Sequence, residues 1–250
     1  MFPAPDLAFS IGLLGLAGVL GVGYGLRVVI QGKARFDRTD QEGGSALVSK
    51  GMMEMAYWSL QPVGDLLIWL GFTPNSISYL SLGFGVLTAI ALATGHFGVA
   101  GALAMISALM DTLDGMVARK TRVSSDSGEV LDAAIDRYVE FLFLAGLMEF
   151  FRQSREHFAL CALALLGSFM VSYSTAKAEA LQVKPPRGMM RRTERAVYLT
   201  LGAVLTPVSQ WVTGMETPYP MIAAVALVAV LSNVSAVQRL ISIAASVKGR

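Results

Sequence analysis

The sequence is poor in charged residues, with one cysteine and two histidines. Charged residues make up 15% of its 250 positions, whereas soluble domains carry about 25%. The apolar share is 54% and the mean hydropathy is +0.57, so the composition indicates a polytopic membrane protein. The single Cys161 excludes an intramolecular disulfide and a cysteine-based metal site, and its apolar surroundings predict a core residue. His96 and His157 lie near the ends of apolar segments, which does not favour a metal-binding role.

Long apolar runs dominate the chain. Seven are long enough to cross a bilayer, which takes about 20 residues each: 7–30, 76–94, 97–119, 131–151, 158–180, 196–212 and 219–245. There is no strand-like alternation or internal repeat, so we expect an all-α polytopic transmembrane helix bundle. The predicted organisation is an N-terminal extra transmembrane helix in residues 1–31, a polar linker in residues 32–47, and a domain of six core helices in residues 48–250.

The segment that opens this domain differs from the spans. Its apolar residues recur at roughly helical spacing, with Lys50, Glu54 and Asp65 between them. This pattern predicts an amphipathic helix on the membrane surface, interrupted at Pro62. A poorly spanning eighth transmembrane helix is the alternative.

Lysine and arginine are unevenly distributed among the loops. Residues 1–26 contain neither, whereas basic residues follow the first, third and fifth spans and close the chain. Only Arg152 and Arg155 fall on the opposite side. By the positive-inside rule, the N-terminus lies outside, and the C-terminus and the loop after the third span face the cytosol. We therefore expect a multi-pass protein of the cell (inner) membrane.

Four carboxylates interrupt the third and fourth apolar runs. Asp111 and Asp114 are three residues apart, and Asp132 and Asp136 are four apart, so each pair lies on one helix face. Because a short loop joins the two helices, we expect antiparallel neighbours whose carboxylates face each other near the cytosolic side. Such carboxylates would repel one another unless cations lay between them. Oxygen ligands favour Mg²⁺, Mn²⁺ or Ca²⁺, and two such ions suit phosphoryl transfer.

The residues between the acids favour a ligand that carries phosphate. Gly115 and Gly128 allow a close approach of the backbone, and Arg119 can hold a phosphate oxygen by paired hydrogen bonds. Ser125 adds a hydroxyl in the loop. The acids and these residues form the pattern D-x2-D-G-x2-A-R-x8-G-x3-D-x3-D over residues 111–136. This pattern resembles the signature of the CDP-alcohol phosphotransferase family.

The resemblance implies an enzyme that transfers a phosphoalcohol unit from a CDP-linked donor to an acceptor hydroxyl and releases CMP. It implies six core transmembrane helices, often preceded by a surface helix, and commonly a homodimer. The four aspartates would bind two Mg²⁺ ions, with Mn²⁺ also possible, and Asp136 would be the general base. The upstream stretch "FTPNSISYLSL" resembles the family's entry to its first core helix. The implied donor-binding residues are Pro74, Asn75, Ser76, Ile77, Gly115, Arg119, Ser125 and Gly128.

A second basic stretch, residues 174–199, favours an acceptor that itself carries a phosphate. Positive-inside charge or contact with anionic lipid is the alternative for Lys184 and Arg191, whereas Lys177 lies within an apolar span, where charge usually has a function. The pattern A-K-A-E followed by R-x-x-E-R resembles the phosphatidylinositol phosphate synthases of that family. The acceptor-binding residues would be Lys177, Arg187, Arg192 and Arg195.

The sequence therefore predicts an integral membrane phospholipid synthase. It would transfer the phosphatidyl or a similar group from a CDP-lipid such as CDP-diacylglycerol to a phosphorylated polyol, with inositol phosphate favoured over glycerol 3-phosphate. Membrane lipids and a second copy of the chain are the expected partners, and nucleic acid is not. A divalent-cation transporter is the alternative from another class, because acids on neighbouring helices also form ion pathways. An inactive lipid-binding relative is a third.

Overall fold

The described part of the chain consists of helices and short connections. The computed structural model describes residues 4–34, 36, 49–123, 125–183 and 190–248. Most of the predicted polar linker and Arg187 lie outside these ranges. Within them the expectation of an all-α fold is confirmed, because the secondary structure consists of α1 (Ala4–Gln31), α2 (Lys50–Trp69), α3 (Pro74–Ala93), α4 (Phe97–Thr121), α5 (Asp126–Phe150), α6 (Arg155–Ala180), α7 (Arg192–Thr213) and α8 (Tyr219–Val247).

Five of these helices, α1, α3, α4, α6 and α8, are long and apolar enough to cross a membrane. The multi-pass character is thus confirmed, but α5 and α7, which the sequence analysis counted as spans, are not among the five. Both are helical over their predicted ranges. The hydropathy of α5 is lowered by charged residues such as Asp136, and that of α7 by uncharged polar residues such as Thr206; both of these side chains are buried inside the bundle. A buried polar side chain therefore lowers the hydropathy of a helix although it does not contact lipid.

The helix α2 has the predicted amphipathic pattern, since its buried residues Glu54, Tyr57, Leu60 and Gly64 follow one face. The predicted interruption at Pro62 is wrong, because the helix runs through it. Packing explains this continuity: Tyr57 and Leu60 belong to one hydrophobic cluster with residues of α4. A Cβ at Gly64 would lie 3.0 Å from the sulfur of Met116, so α2 and α4 approach each other closely beside the proline.

The helix α3 packs against both α4 and α5, which make few direct contacts with each other. The expectation of α4 and α5 as neighbours thus holds only where their aspartates meet. Ser81 of α3 donates to the carbonyl oxygen of Ser107 of α4 at 3.0 Å, and the reciprocal bond measures 2.9 Å. On the other side, a Cβ at Gly146 of α5 would lie 2.5 Å from the carbonyl oxygen of Ala89. These close approaches fix both aspartate-bearing helices to α3.

A larger hydrophobic core contains residues of all six helices from α3 through α8. Cys161 lies in this core and is 1% exposed, as predicted. The helix α6 packs against α8, and α7 packs against α4 and α8. This second group of helices positions the start of α7, which carries Arg192 and Arg195.

The N-terminal helix α1 is fixed to the bundle at both ends. Buried Asp6 accepts a hydrogen bond from the Val99 amide at 3.0 Å, and its other oxygen lies 2.9 Å from Nδ1 of His96. His96 precedes α4 and makes no side-chain cap of its own, so Asp6 caps that helix from another element. Near the other end of α1, Tyr24 donates to Glu54 of α2 at 3.2 Å.

Replacing Asp6 with alanine is expected to destabilise the protein by about 1 kcal/mol, the usual cost of losing an N-terminal helix cap. The melting temperature in detergent should fall by about 2–4 °C. Asp6→Asn keeps a side-chain oxygen that can accept the hydrogen bond from the Val99 amide, so its melting temperature should fall less than that of Asp6→Ala. Equal melting temperatures for Asp6→Ala and the unaltered chain would contradict the capping role.

Candidate active site

Three of the four predicted metal ligands converge. Asp111 and Asp114 lie one turn apart on α4, and Asp132 lies on α5. Each offers a carboxylate oxygen, and these oxygens all lie within 4.8 Å of one another. Oxygen ligands at this spacing fit a hard divalent cation such as Mg²⁺ or Mn²⁺.

The fourth carboxylate, Asp136, lies one turn beyond Asp132 and is turned toward Arg192. Nη2 of Arg192 forms an ion pair with its Oδ1. The same guanidinium donates from Nη1 and Nη2 to the two oxygens of Asp111, at 3.2 and 3.1 Å. Asp136 is 7% exposed. The structure therefore places a predicted acceptor-binding arginine among the predicted metal ligands.

Ser78 belongs to this site and was not predicted. Its Oγ donates to Oδ2 of Asp114 at 2.5 Å, and both side chains are buried. Ser78 lies one turn into α3, directly after the "PNSI" residues assigned to the donor. The sequence signal was available in "NSIS", but only the packing of α3 on α4 reveals which serine faces the carboxylate.

Substituting Ser78 with alanine is expected to weaken divalent-metal affinity by about 10- to 100-fold, the usual effect of removing a residue that orients a ligand. Mn²⁺ titration of the purified chain measures this. Ser59→Ala on α2, whose hydroxyl donates to the Ala56 carbonyl oxygen within its own helix, is the matched control. An unchanged Mn²⁺ affinity in Ser78→Ala would exclude the orienting role.

Six of the predicted donor-binding residues lie where α3 and α5 begin, and the other two, Gly115 and Arg119, lie toward the end of α4. Thr73 and Ser76 form a reciprocal cap at the start of α3, and Ser125 caps α5 by accepting from the Gly128 amide at 3.1 Å. A Cβ at Gly128 would lie 3.7 Å from Oδ1 of Asn75, so the two helix starts are adjacent. Orphan amides at helix N-termini attract phosphate. Four predicted donor residues differ in burial, since Ile77 is fully buried, Arg119 is exposed, and Pro74 and Gly115 are half-buried.

Two predicted acceptor residues differ sharply in burial. Arg195 is 1% exposed and forms a two-bond ion pair with Glu140, at 2.5 and 3.0 Å. Its Nη1 is buried with no hydrogen-bond partner among the described residues. Lys177 is exposed on the last turn of α6. Arg137, the residue after Asp136, donates to the Ala133 carbonyl oxygen at 2.5 Å.

A pocket opens beside Asp136 between α3, α4, α5 and α7. Its cavity volume is about 70 Å³, and it opens to solvent. Its charged lining residues are Asp136, Glu140 and Arg192, and its hydroxyl-bearing ones are Ser81, Thr88, Ser107 and Thr200. The pocket therefore brings hydroxyl and charged side chains next to the Asp136 carboxylate.

Known proteins resemble this chain in sequence and in structure. The phosphatidylinositol phosphate synthase of Mycobacteroides abscessus is 30% identical over 183 residues, which are 72% of this chain and 80% of that protein. Two crystal structures of the phosphatidylinositol phosphate synthase of Mycobacterium tuberculosis, one with CDP-DAG bound and one in complex with manganese and citrate, each match with a TM-score of 0.65 and 27% identity. Each match covers 73% of this chain, and 92% and 87% of those chains respectively.

A family model described as CDP-alcohol phosphatidyltransferase matches residues 72–232. The match begins just before α3, ends within α8, and includes all four aspartates, Ser78, Arg192 and Arg195. The helices α1 and α2 precede it. Because the match extends over more than half of the chain, the protein belongs to the CDP-alcohol phosphatidyltransferase family.

Proposed function

We propose that this protein transfers the phosphatidyl group from CDP-diacylglycerol to a hydroxyl of inositol phosphate and releases CMP. The observation that carries the proposal is the convergence of Asp111, Asp114 and Asp132 within 4.8 Å, next to Arg192. It joins a metal site to a group that binds phosphate. The names of the similar synthases support inositol phosphate as the acceptor.

The donor binds through its pyrophosphate and nucleotide. Two divalent ions, Mg²⁺ or Mn²⁺, bound by the four aspartates would neutralise the pyrophosphate, and the manganese complex of a similar structure supports this choice. Arg119 and the amides at the start of α5 lie where they can hold phosphate oxygens. Asn75 and Gly128 border the nucleotide, since the starts of α3 and α5 are adjacent.

The acceptor enters the pocket beside Asp136. Arg192 and Arg195, with Lys177 and Arg187, hold its phosphate, and a free hydroxyl points at the donor. That oxygen attacks the phosphorus next to the diacylglycerol, and Asp136 takes its proton. The bond from this phosphorus to the oxygen of CMP breaks, and CMP leaves with the electron pair. In-line attack requires no covalent enzyme intermediate.

The membrane arrangement follows the distribution of basic residues. The protein lies in the cell membrane as a homodimer, with the N-terminus outside and the active site at the cytosolic face. Arg119 and Lys120 lie in the last turn of α4, and Arg191 and Arg192 lie at the start of α7, all at the end that carries the aspartates. This shared position supports a cytosolic site.

A CMP-release assay tests the function. The purified chain receives CDP-diacylglycerol and Mg²⁺ with inositol phosphate, glycerol 3-phosphate, inositol or no acceptor. The proposal requires the fastest CMP release with inositol phosphate. Faster CMP release with glycerol 3-phosphate would indicate that glycerol 3-phosphate, and not inositol phosphate, is the acceptor. If no acceptor gave CMP release and Mn²⁺ entered proteoliposomes, the enzyme proposal would be rejected in favour of a divalent-cation transporter.

A further inference from the structure

Arg192 contacts two of the proposed metal ligands and is also a proposed ligand for the acceptor. Its guanidinium donates to both oxygens of Asp111 and also pairs with Oδ1 of Asp136. These two carboxylates are half of the proposed metal-ligand set. The same arginine is a proposed ligand for the acceptor phosphate, so two anionic partners compete for one side chain.

The three-way contact creates a competition. The guanidinium donates to both oxygens of Asp111, and those oxygens are the atoms that a divalent cation would use. Two cationic groups on one carboxylate repel each other, and neither bond keeps its full strength. We therefore expect a cation that binds Asp111 and Asp136 to weaken their contacts with the guanidinium.

The position of Arg192 lets it move without refolding. It is the first residue of α7, and its side chain is 39% exposed. The backbone before it is held by the Arg191 amide, which donates to Oε2 of Glu194 at 2.7 Å. The helix start is thus fixed, whereas the arginine side chain has several rotatable bonds and an open side. Glu140 is the further acid that acts on it electrostatically.

We propose that Arg192 couples metal binding to binding of the acceptor phosphate. It neutralises Asp111 and Asp136 until divalent ions bind them, and the released guanidinium then binds the phosphate of the acceptor. By reciprocity, a phosphate-bearing ligand that draws Arg192 away raises the affinity for the metal by the same factor. The proposal rests on the proposed function for the identity of the anion.

The coupling has an advantage for the reaction. An acceptor phosphate binds less tightly when Arg192 is paired with the carboxylates than when Arg192 has been released from them. Productive binding is then favoured only when the ions that activate the donor are present. A static ion pair between Arg192 and the aspartates would give no such dependence, and this difference can be measured.

Mn²⁺ binding to the purified full-length chain in detergent, followed by the spectroscopic signal of free Mn²⁺, tests the coupling without turnover. Glycerol 3-phosphate is the anionic probe and glycerol its neutral counterpart. In the unaltered chain, glycerol 3-phosphate should raise Mn²⁺ affinity about fivefold or more, the lower end of typical couplings, and glycerol should not. This comparison needs no variant, so it stands even if a substitution impairs folding.

The variants then assign the effect to Arg192. Arg192→Gln should bind Mn²⁺ more tightly than the unaltered chain and show no response to glycerol 3-phosphate. Arg192→Lys keeps the positive charge but lacks the paired N–H donors of the guanidinium. Its Mn²⁺ affinity and its response to glycerol 3-phosphate should lie between those of the unaltered chain and of Arg192→Gln. Arg155→Gln, the same change at an exposed position at the start of α6, should behave like the unaltered chain.

Two results would overturn the proposal. One is equal or weaker Mn²⁺ binding by Arg192→Gln in a chain that melts normally. The other is the absence of any effect of glycerol 3-phosphate on the unaltered chain. Neither result depends on CMP release: coupling without release would reject the proposed function alone, and release without coupling would reject only the role of Arg192.

Discussion

Asp136→Asn is expected to lower kcat for CMP release by about 10²- to 10⁴-fold, the usual contribution of a general base. Asparagine cannot take the proton of the acceptor hydroxyl, although it keeps the shape of the side chain and one oxygen that can contact a cation. The change leaves unaltered the Asp111, Asp114 and Asp132 carboxylates, which converge in the structure. Binding of CDP-diacylglycerol should therefore be largely retained. Single-turnover CMP release and donor binding, measured on the same preparation, separate the two effects.

The control for this change is Asp65→Asn. Asp65 is 65% exposed on α2 and pairs with Lys120 at 2.7 Å, outside the site. It undergoes the same chemical change and should keep kcat within about twofold, because exposed ion pairs contribute little. If Asp136→Asn retained turnover close to that of Asp65→Asn, another group would have to take the proton.

The acidic site was predictable because its determinants are local. Asp111 and Asp114 are three residues apart and Asp132 follows after one short loop, so helical geometry and the short loop predict that they lie close together. The partner of Asp136 was not predictable in this way. Arg192 approaches it from 56 positions further along the chain, and only the packing of α7 against α4 brings that arginine to the aspartates.

The parts of the fold that the sequence did not predict, or predicted wrongly, have a common physical cause, which is packing between helices. Pro62 lacks an amide donor and favours a break locally, but the contact of α2 with α4 keeps the helix continuous. Ser78 is one of several serines in its stretch, and only its position facing Asp114 distinguishes it. The cap that Asp6 provides joins residues more than ninety positions apart. Local sequence patterns contain none of these contacts.

Arg195→Met is expected to destabilise the protein by about 3–5 kcal/mol, because it leaves the Glu140 carboxylate buried without its counter-ion. The melting temperature should fall by roughly 6–20 °C. The matched control is Arg152→Met, since Arg152 pairs with Glu149 at the same distance of 2.5 Å with both side chains largely exposed. That change should cost less than about 1 kcal/mol.

The double variant Arg195→Met/Glu140→Met separates the structural role of Arg195 from its proposed binding role. Replacing both members of a buried ion pair with apolar residues is often neutral for stability, so the melting temperature should largely recover. If Arg195 also binds the acceptor phosphate through Nη1, which lacks a partner among the described residues, the KM for inositol phosphate stays raised while the KM for CDP-diacylglycerol stays normal. A stable double variant with a normal acceptor KM would leave Arg195 with a structural role alone, and the phosphate would then bind to Arg192 and the remaining basic residues.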